Sequence, residues 1–150
     1  MRRAIALSRA QAETATGGPF GAVVAHGGRV VAEGVNRVTA TNDPTAHAEI
    51  VAIRAACQAL GTFTLAGCVM YASCEPCPMC LAAIYWARLD RLCFAGARED
   101  AAAIGFDDAR LYAEIARPID ARAIPTIRLL ADEAGAALAA WTAHPDATRY

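Results

Sequence analysis

Apolar and polar positions recur along the chain with two periods, one typical of helices and one typical of strands. Residues 1–15 carry alanine and leucine at helical spacing, which predicts an amphipathic helix that ends before the turn signal Gly17-Gly18-Pro19. The segments 20–25 and 29–33 are rich in β-branched residues and flank Gly27-Gly28. Paired glycines between such segments are a hairpin signal, so the two segments are expected to pair as antiparallel strands.

Helix-start signals predict two helices in the middle of the chain. Asp43 suits an N-cap and Pro44 suits the first helical position, so a helix is expected over 44–61. A second helix is expected over 75–88, because its prolines at 76 and 78 fall where a missing amide donor costs least. The remaining pattern predicts strands over 68–72, 91–95 and 125–130, and helices over 106–116 and 132–143.

The alternation of strands and helices predicts an α/β fold. We expect a three-layer α/β/α arrangement around a central mixed sheet of five strands, in which the first hairpin is the antiparallel exception. A chain of 150 residues with 56% apolar side chains is long enough for one compact domain with a substantial core. The sequence contains no internal repeat or linker, so residues 1–150 are expected to form a single domain.

Charge and composition narrow the class of function. The formal net charge is -1, which gives no basic field of the kind that a phosphate backbone requires, so a nucleic-acid partner is not expected. All fourteen basic residues are arginine, which excludes imine chemistry on a lysine. The N-terminal apolar stretch is too short for a signal peptide, and no segment is long enough to span a bilayer. We therefore expect a cytoplasmic protein without a membrane partner.

Two short motifs carry metal-ligating residues: His47-Ala48-Glu49, and Cys77 with Cys80 three positions later. Together His47, Cys77 and Cys80 supply three nitrogen and sulfur ligands, and a zinc site with three protein ligands keeps its fourth tetrahedral position for water. Coordination lowers the pKa of that water to about 7, so zinc-bound hydroxide is available at neutral pH. Glu49 is not a ligand, and its carboxylate can take a proton from the water and return it to a leaving amine. The joint motif is typical of zinc-dependent deaminases.

Each motif also has a structural explanation. A His-x-Glu can be a solvated first turn of a helix, and a Cys-x-x-Cys can be a structural zinc site or a redox pair. Cys74 is the main complication, because as a fourth ligand it would close the site and make the zinc structural. An iron-sulfur cluster is disfavoured, since the further cysteine-proline expected after Cys80 is absent. The remaining cysteines, at 57, 68 and 93, are expected to be core residues.

The chain resembles the cytidine deaminase superfamily of zinc hydrolases and, within it, the guanine deaminases of bacteria. The resemblance extends over nearly the whole chain and includes a tyrosine as the last residue. Its most specific part for that branch is the Gly-Phe-Asp-Asp motif with that tyrosine, because other deaminases share the zinc motif. The matching segments are GGPFGA at 17–22, Asn36, TNDPTAHAE at 41–49, SCEPCPMC at 73–80, YWAR at 85–88 and GFDD at 105–108.

The resemblance implies hydrolysis of guanine to xanthine and ammonia, with one catalytic Zn²⁺ per subunit and Glu49 as the proton shuttle. Asp108 is then expected to engage the 2-amino group and to count with Glu49 among the catalytic residues. The resemblance also implies a domain-swapped homodimer in which the C-terminal segment completes the partner's site. Residues implied to contact the purine are Phe20, Asn36, His47, the backbone of Ala48, Trp86, Asp108 and Tyr150.

Three other functions stay open from the sequence. A tRNA adenosine deaminase shares the zinc motif but needs a basic groove for RNA, and guanosine or another aminated heterocycle is an alternative to guanine. A non-catalytic, zinc-stabilised interaction module is the alternative from another class, and Glu49 would then be dispensable.

Overall fold

A mixed sheet of four strands organises the chain in the computed structural model, which describes residues 1–149. The strands are β1 (Gly21–His26), β2 (Arg29–Val35), β3 (Cys68–Cys74) and β4 (Arg91–Gly96), in the spatial order β2-β1-β3-β4. β1 is antiparallel to both β2 and β3, whereas β3 and β4 are parallel. The predicted hairpin and the mixed character of the sheet are therefore confirmed. The expectation of a mostly parallel sheet with the hairpin as its one antiparallel exception is wrong, because β1 also pairs antiparallel with β3 and only β3 and β4 are parallel.

Seven α-helices accompany the sheet in the described part of the chain. The first, α1 (Arg2–Thr14), confirms the predicted amphipathic helix, while two short helices, α2 (Val38–Thr41) and α5 (Arg98–Ala103), are not predicted by the sequence pattern. The chain divides into two compact units, one spanning Met1–Asp108 and a second from residue 109 onward. The helices are α1 (Arg2–Thr14), α2 (Val38–Thr41), α3 (Ala48–Leu60), α4 (Pro78–Trp86), α5 (Arg98–Ala103), α6 (Ala109–Ala116) and α7 (Ala131–Ala143), with a 3₁₀ turn at Ile119–Ala121.

Two close-packed glycines place helices on opposite faces of the sheet. A Cβ on Gly21 would lie 2.7 Å from the Leu7 side chain on α1, whereas a Cβ on Gly34 would lie 2.6 Å from the Ala52 amide nitrogen on α3. Gly34 pairs with Ala22 across the β1–β2 ladder, and cross-strand partners point to the same face. Consecutive strand residues point to opposite faces, so α1 and α3 cover different sides of the sheet. The first unit therefore has the predicted α/β/α layering.

The fifth strand predicted over 125–130 is wrong. These residues have no regular structure and join no ladder within residues 1–149. Leu130 has a left-handed φ of 50° as the N-cap of α7, which ends any extended backbone there. The β-branched composition of the segment favours a strand, but a strand forms only where a partner strand is within reach.

Both helices that carry the zinc motifs begin later than predicted. α3 begins at Ala48 instead of residue 44, because the Asp43 carboxylate accepts hydrogen bonds from the backbone and hydroxyl of Thr45 at 2.8 and 2.6 Å. This Asx turn delays the helix by one turn. α4 begins at Pro78 instead of residue 75, because a residue before proline is disfavoured in the helical region. Likewise, α6 begins at Ala109, so the predicted start at residue 106 is wrong and the GFDD motif is a loop.

The core lies between α3 and the sheet and consists largely of small side chains. Alanines on α3 face the sheet, so the helix backbone approaches β1 and β2 closely. Larger buried side chains come from β1, β3 and the segment after α3: Val24, Met70 and Leu65. The first residues of α3 are therefore fixed against the sheet, and the site depends on their position.

No helix in the described part of the chain is long and apolar enough to cross a membrane.

Gly34→Ala is expected to lower the free energy of unfolding by about 1–3 kcal/mol, because the added methyl group meets the α3 backbone at Ala48 and Ala52, which cannot move aside. Urea unfolding followed by circular dichroism would measure the loss. The matched control is Gly135→Ala in α7, where a new Cβ meets nothing within 4 Å and a gain of about 0.5–1 kcal/mol is expected. Equal stability of the two variants would contradict the close packing of α3.

Candidate active site

Two metal-ligating residues occupy the N-cap positions of their helices. His47 precedes α3 and Cys77 precedes α4, and both have extended backbone dihedrals. Cys80 lies on the first turn of α4, three residues after Cys77, so both sulfurs face the same side. Both helices direct free amide groups and positive dipole ends toward this point, which favours thiolates and other anions there.

The three side chains are spaced as a tetrahedral zinc site requires. His47 Nδ1 lies 3.5 Å from the Cys77 sulfur and 3.6 Å from the Cys80 sulfur, and the three ligand atoms lie within 4.8 Å of one another. Zinc bonds of about 2.0 Å to nitrogen and 2.3 Å to sulfur, at a tetrahedral angle, separate the two atoms by about 3.5 Å. His47, Cys77 and Cys80 therefore fit a zinc ion.

Cys74 does not join this cluster. Its thiol donates a hydrogen bond to the Ala97 carbonyl at 3.4 Å, at the start of α5. Among the described residues, the metal-ligating group at this place contains only His47, Cys77 and Cys80. Such a site has three protein ligands, which is the open arrangement typical of catalytic zinc.

The Glu49 carboxylate is enclosed beside the ligands. The residue lies in the first turn of α3, is 8% exposed, and its Oε2 accepts a hydrogen bond from the Cys80 thiol at 3.3 Å. Burial raises the pKa of this carboxyl above its ordinary value, because the charged form is poorly solvated. A carboxyl of raised pKa next to a metal-activated water is suited to accepting and releasing a proton near neutral pH.

Hydrogen bonds connect the titratable groups of the three ligand side chains. A hydrogen bond between the Cys77 and Cys80 side chains, together with the His47 imidazole, lowers the pKa of the Cys77 thiol to about 4. The same hydrogen bonds raise the pKa of Cys80, which keeps the proton, and the pKa of His47. Cys77 is therefore the first sulfur to ionise, and zinc binding must displace the Cys80 proton.

Two predicted purine contacts, Asn36 and Phe20, lie on the first unit between β1, β2 and the GFDD loop. Asn36 follows β2, is 5% exposed, and its Oδ1 accepts hydrogen bonds from the backbone nitrogens of Gly18 and Val38. The Phe20 ring packs edge-to-face against Phe106, with centroids 5.0 Å apart. The motifs GGPFGA and GFDD, distant in sequence, are therefore joined by an aromatic contact.

Asp108 lies close enough to the zinc ligands to sense their charge. Burial raises the pKa of its carboxyl, and the negative charge of the Cys77 thiolate raises it further, whereas the Arg98 guanidinium opposes both effects. The catalytic role expected for Asp108 stays a prediction.

The remaining predicted contacts are placed differently. Ala48 is the first residue of α3 and is buried. Trp86 ends α4 and is 66% exposed, in a surface groove with Ala82, Tyr85 and Arg88, so its role against a purine stays a prediction. Tyr150 lies outside the described residues.

No sequence motif marks the polar residues around the site whose hydrogen bonds connect the segments that form it. The Glu75 carboxylate accepts a hydrogen bond from the Arg98 backbone. This bond connects the segment that leads to Cys77 with the first residue of α5. Gln11 on α1 is buried and contacts Asn36. A single glutamine on an amphipathic helix gives no local sequence pattern that predicts a contact, so such contacts are recognised only in the folded structure.

A comparison with protein families matches residues 1–96 to the cytidine and deoxycytidylate deaminase zinc-binding region. The chain belongs to this family. The matched region contains His47, Glu49, Cys77 and Cys80, and it is a zinc-binding region, so the predicted zinc cofactor is confirmed.

Guanine deaminases and tRNA-specific adenosine deaminases are among the proteins similar to this chain. The chain is 48% identical to guanine deaminase from Bacillus subtilis (strain 168) over 141 residues, which is 94% of this chain and 90% of the relative. A solved structure of guanine deaminase from Bacillus subtilis has a TM-score of 0.96 at 46% identity and covers 99% of this chain and 95% of that one. A tRNA-specific adenosine deaminase from Agrobacterium fabrum (strain C58 / ATCC 33970) is 54% identical over 74 residues, 49% of each chain. The predicted resemblance to guanine deaminase is confirmed.

Cys77→Ser is expected to reduce the zinc content of the purified protein several-fold, because a serine hydroxyl does not ionise to a metal ligand as a thiol does. Zinc per chain would be measured by plasma mass spectrometry after dialysis. Cys74→Ser is the matched control, since a serine at 74 can still donate to the Ala97 carbonyl, and it should retain one zinc per chain. Loss of zinc from Cys74→Ser alone would make Cys74 the ligand instead.

Proposed function

We propose that this protein is a guanine deaminase, which hydrolyses the C2–amino bond of guanine with water to give xanthine and ammonia. The observation that carries the proposal is the near full-length similarity to guanine deaminase, together with an open His-Cys-Cys site that has a buried carboxylate beside it. The match to the tRNA-specific adenosine deaminase from Agrobacterium fabrum covers only 49% of the chain.

Glu49 is the proton carrier in this proposal. Bound zinc supplies a water whose pKa is lowered to about 7. The Glu49 carboxylate accepts the proton of the attacking water and then donates it to the amine that leaves C2 as ammonia. Its burial supports both transfers, because a raised pKa lets the same group hold and release a proton near neutral pH.

Purine binding is assigned to the groups around the site. Asn36 and the Ala48 backbone hold polar edges of the base, since first-turn amides of a helix point outward from its end. Phe20, His47 and Trp86 pack on its faces. Asp108 accepts hydrogen bonds from the 2-amino group, and a site built on such bonds rejects purines that lack this group. Tyr150 closes the pocket.

We also propose a homodimer in which the C-terminal segment, from residue 109 onward, completes the partner's site. Support comes from the exposure of large apolar side chains along this segment, since contiguous exposed apolar surface marks interaction sites. The exposed side chains are Leu111, Ile115, Ile119, Ile124, Ile127, Leu129, Leu130, Leu138 and Trp141.

The direct test is to offer the zinc-loaded protein guanine, guanosine, adenine, cytosine, cytidine and a tRNA anticodon stem while measuring ammonia. Guanine is expected to be the preferred substrate, because the net charge of -1 provides no basic field for RNA. Preference for the tRNA would establish the adenosine deaminase alternative, and preference for guanosine would require a larger pocket. Absence of ammonia from all six would favour the non-catalytic zinc module.

Glu49→Gln is expected to lower ammonia release from guanine by about 10²- to 10⁴-fold, because an amide cannot accept and return the proton. Zinc content and melting temperature should stay near those of the parent protein, since the side-chain volume is retained. The matched control is Glu13→Gln on the exposed side of α1, which should leave turnover unchanged. Retained turnover in Glu49→Gln would remove Glu49 from the mechanism.

A further inference from the structure

Gln11 is a buried polar side chain that faces the substrate-binding Asn36 from a different element. It lies on α1, is 9% exposed, and its Nε2 donates a 2.6 Å hydrogen bond to the backbone carbonyl of Asn36, 25 residues away. The Thr16 hydroxyl donates to Gln11 Oε1 at 2.8 Å. The Asn36 carbonyl can only accept, so the end of the Gln11 amide that faces it must be the Nε2 donor, and the Thr16 contact is consistent with this orientation.

The side-chain amide of Asn36 has one allowed orientation. Its Oδ1 lies 3.3 Å from the backbone nitrogen of Gly18 and 3.2 Å from that of Val38. Backbone N–H groups only donate, so the atom that faces both must be the oxygen, and two donors use both of its lone pairs. The Nδ2 amino group is therefore the end of Asn36 that remains for a ligand, and it can only donate.

This orientation depends on the backbone bond that Gln11 holds. The hydrogen bond from Val38 to Asn36 Oδ1 is an Asx turn, which forms only over a narrow range of the Asn36 ψ angle. The same ψ angle sets the direction of the Asn36 carbonyl, and that carbonyl is the acceptor of Gln11 Nε2. Gly17 leaves the room for this contact, because a Cβ there would lie 3.2 Å from Gln11 Nε2 and would collide with the Asn36 carbonyl.

We propose that Gln11 is a positioning residue that keeps Asn36 as a hydrogen-bond donor and thereby selects purines with a carbonyl at C6 over purines with an amino group there. A C6 carbonyl accepts from Asn36 Nδ2, whereas a C6 amino group would face it donor to donor and leave both unpaired. The inference rests on the proposed function, because it assumes a purine bound at Asn36.

The test compares guanine with 2,6-diaminopurine, which keeps the 2-amino group that is removed but has an amino group at C6. In Gln11→Met, which has similar size and no donor, KM for guanine should rise about 5- to 10-fold with little change in kcat. The constants for 2,6-diaminopurine should change less than twofold, so the preference for guanine falls by about the same factor. Gln58→Met, the same substitution at an exposed position of α3, should leave all constants unchanged.

Equal losses on both purines, or an unchanged KM for guanine, would overturn the proposal, because a merely structural role weakens both substrates alike. If Gln11→Met does not fold, Gln11→Glu keeps the size and polarity but places a carboxylate oxygen against the Asn36 carbonyl. It should show the same change in preference at neutral pH.

A second readout separates this proposal from the proposed function. The side-chain amide of Asn36, identified by its loss in Asn36→Asp, should give two distinct proton signals in a ¹⁵N-correlated NMR spectrum of the parent protein. These signals should broaden or shift in Gln11→Met and stay unchanged in Gln58→Met. Parent protein that releases no ammonia from guanine would refute the proposed function, whereas an unchanged Asn36 signal would refute the role of Gln11.

Discussion

The whole site depends on two helices whose N-terminal ends lie side by side. His47 caps α3 and Cys77 caps α4, and their ligand atoms are 3.5 Å apart although 30 residues separate them. The sheet makes this possible, because β3 ends directly before α4, while α3 packs against β1 and β2. The small residues Gly34 and Ala52 let α3 approach the sheet closely enough for its first turn to meet that of α4. Backbone packing thus places the metal ligands beside one another.

Chemistry was easier to predict from the sequence than the exact helix boundaries. The residue types and spacing at His47, Cys77 and Cys80 define a zinc site, and Glu49 two residues from a ligand follows from the same motif. The sequence pattern predicts helix starts at residues 44 and 75, but the Asx turn at Asp43 and the restriction that Pro78 places on Cys77 delay both helices. A capping rule fails to predict the helix start where a competing local interaction is stronger.

Tertiary contacts account for the remaining differences. The segment 125–130 has the composition of a strand, but composition does not reveal whether a partner strand lies beside it. Gln11 and Asn36 are 25 residues apart, on α1 and directly after β2, and no local sequence pattern predicts their contact. The contact of Phe20 with Phe106 likewise joins motifs that are 86 positions apart. Such pairs become predictable only after the topology of the sheet is known.

The unequal enclosure of the ligands has a consequence for how metal exchanges. Cys80 is 0% exposed and Glu49 is nearly so, whereas His47 and Cys77 are only partly buried. An ion or a chelator therefore reaches the centre past His47 and Cys77, the side on which the base is proposed to lie. The metal and the substrate then enter the site by the same route. A bound purine should therefore slow the exchange of zinc, and it should also compete with other ligands for the metal.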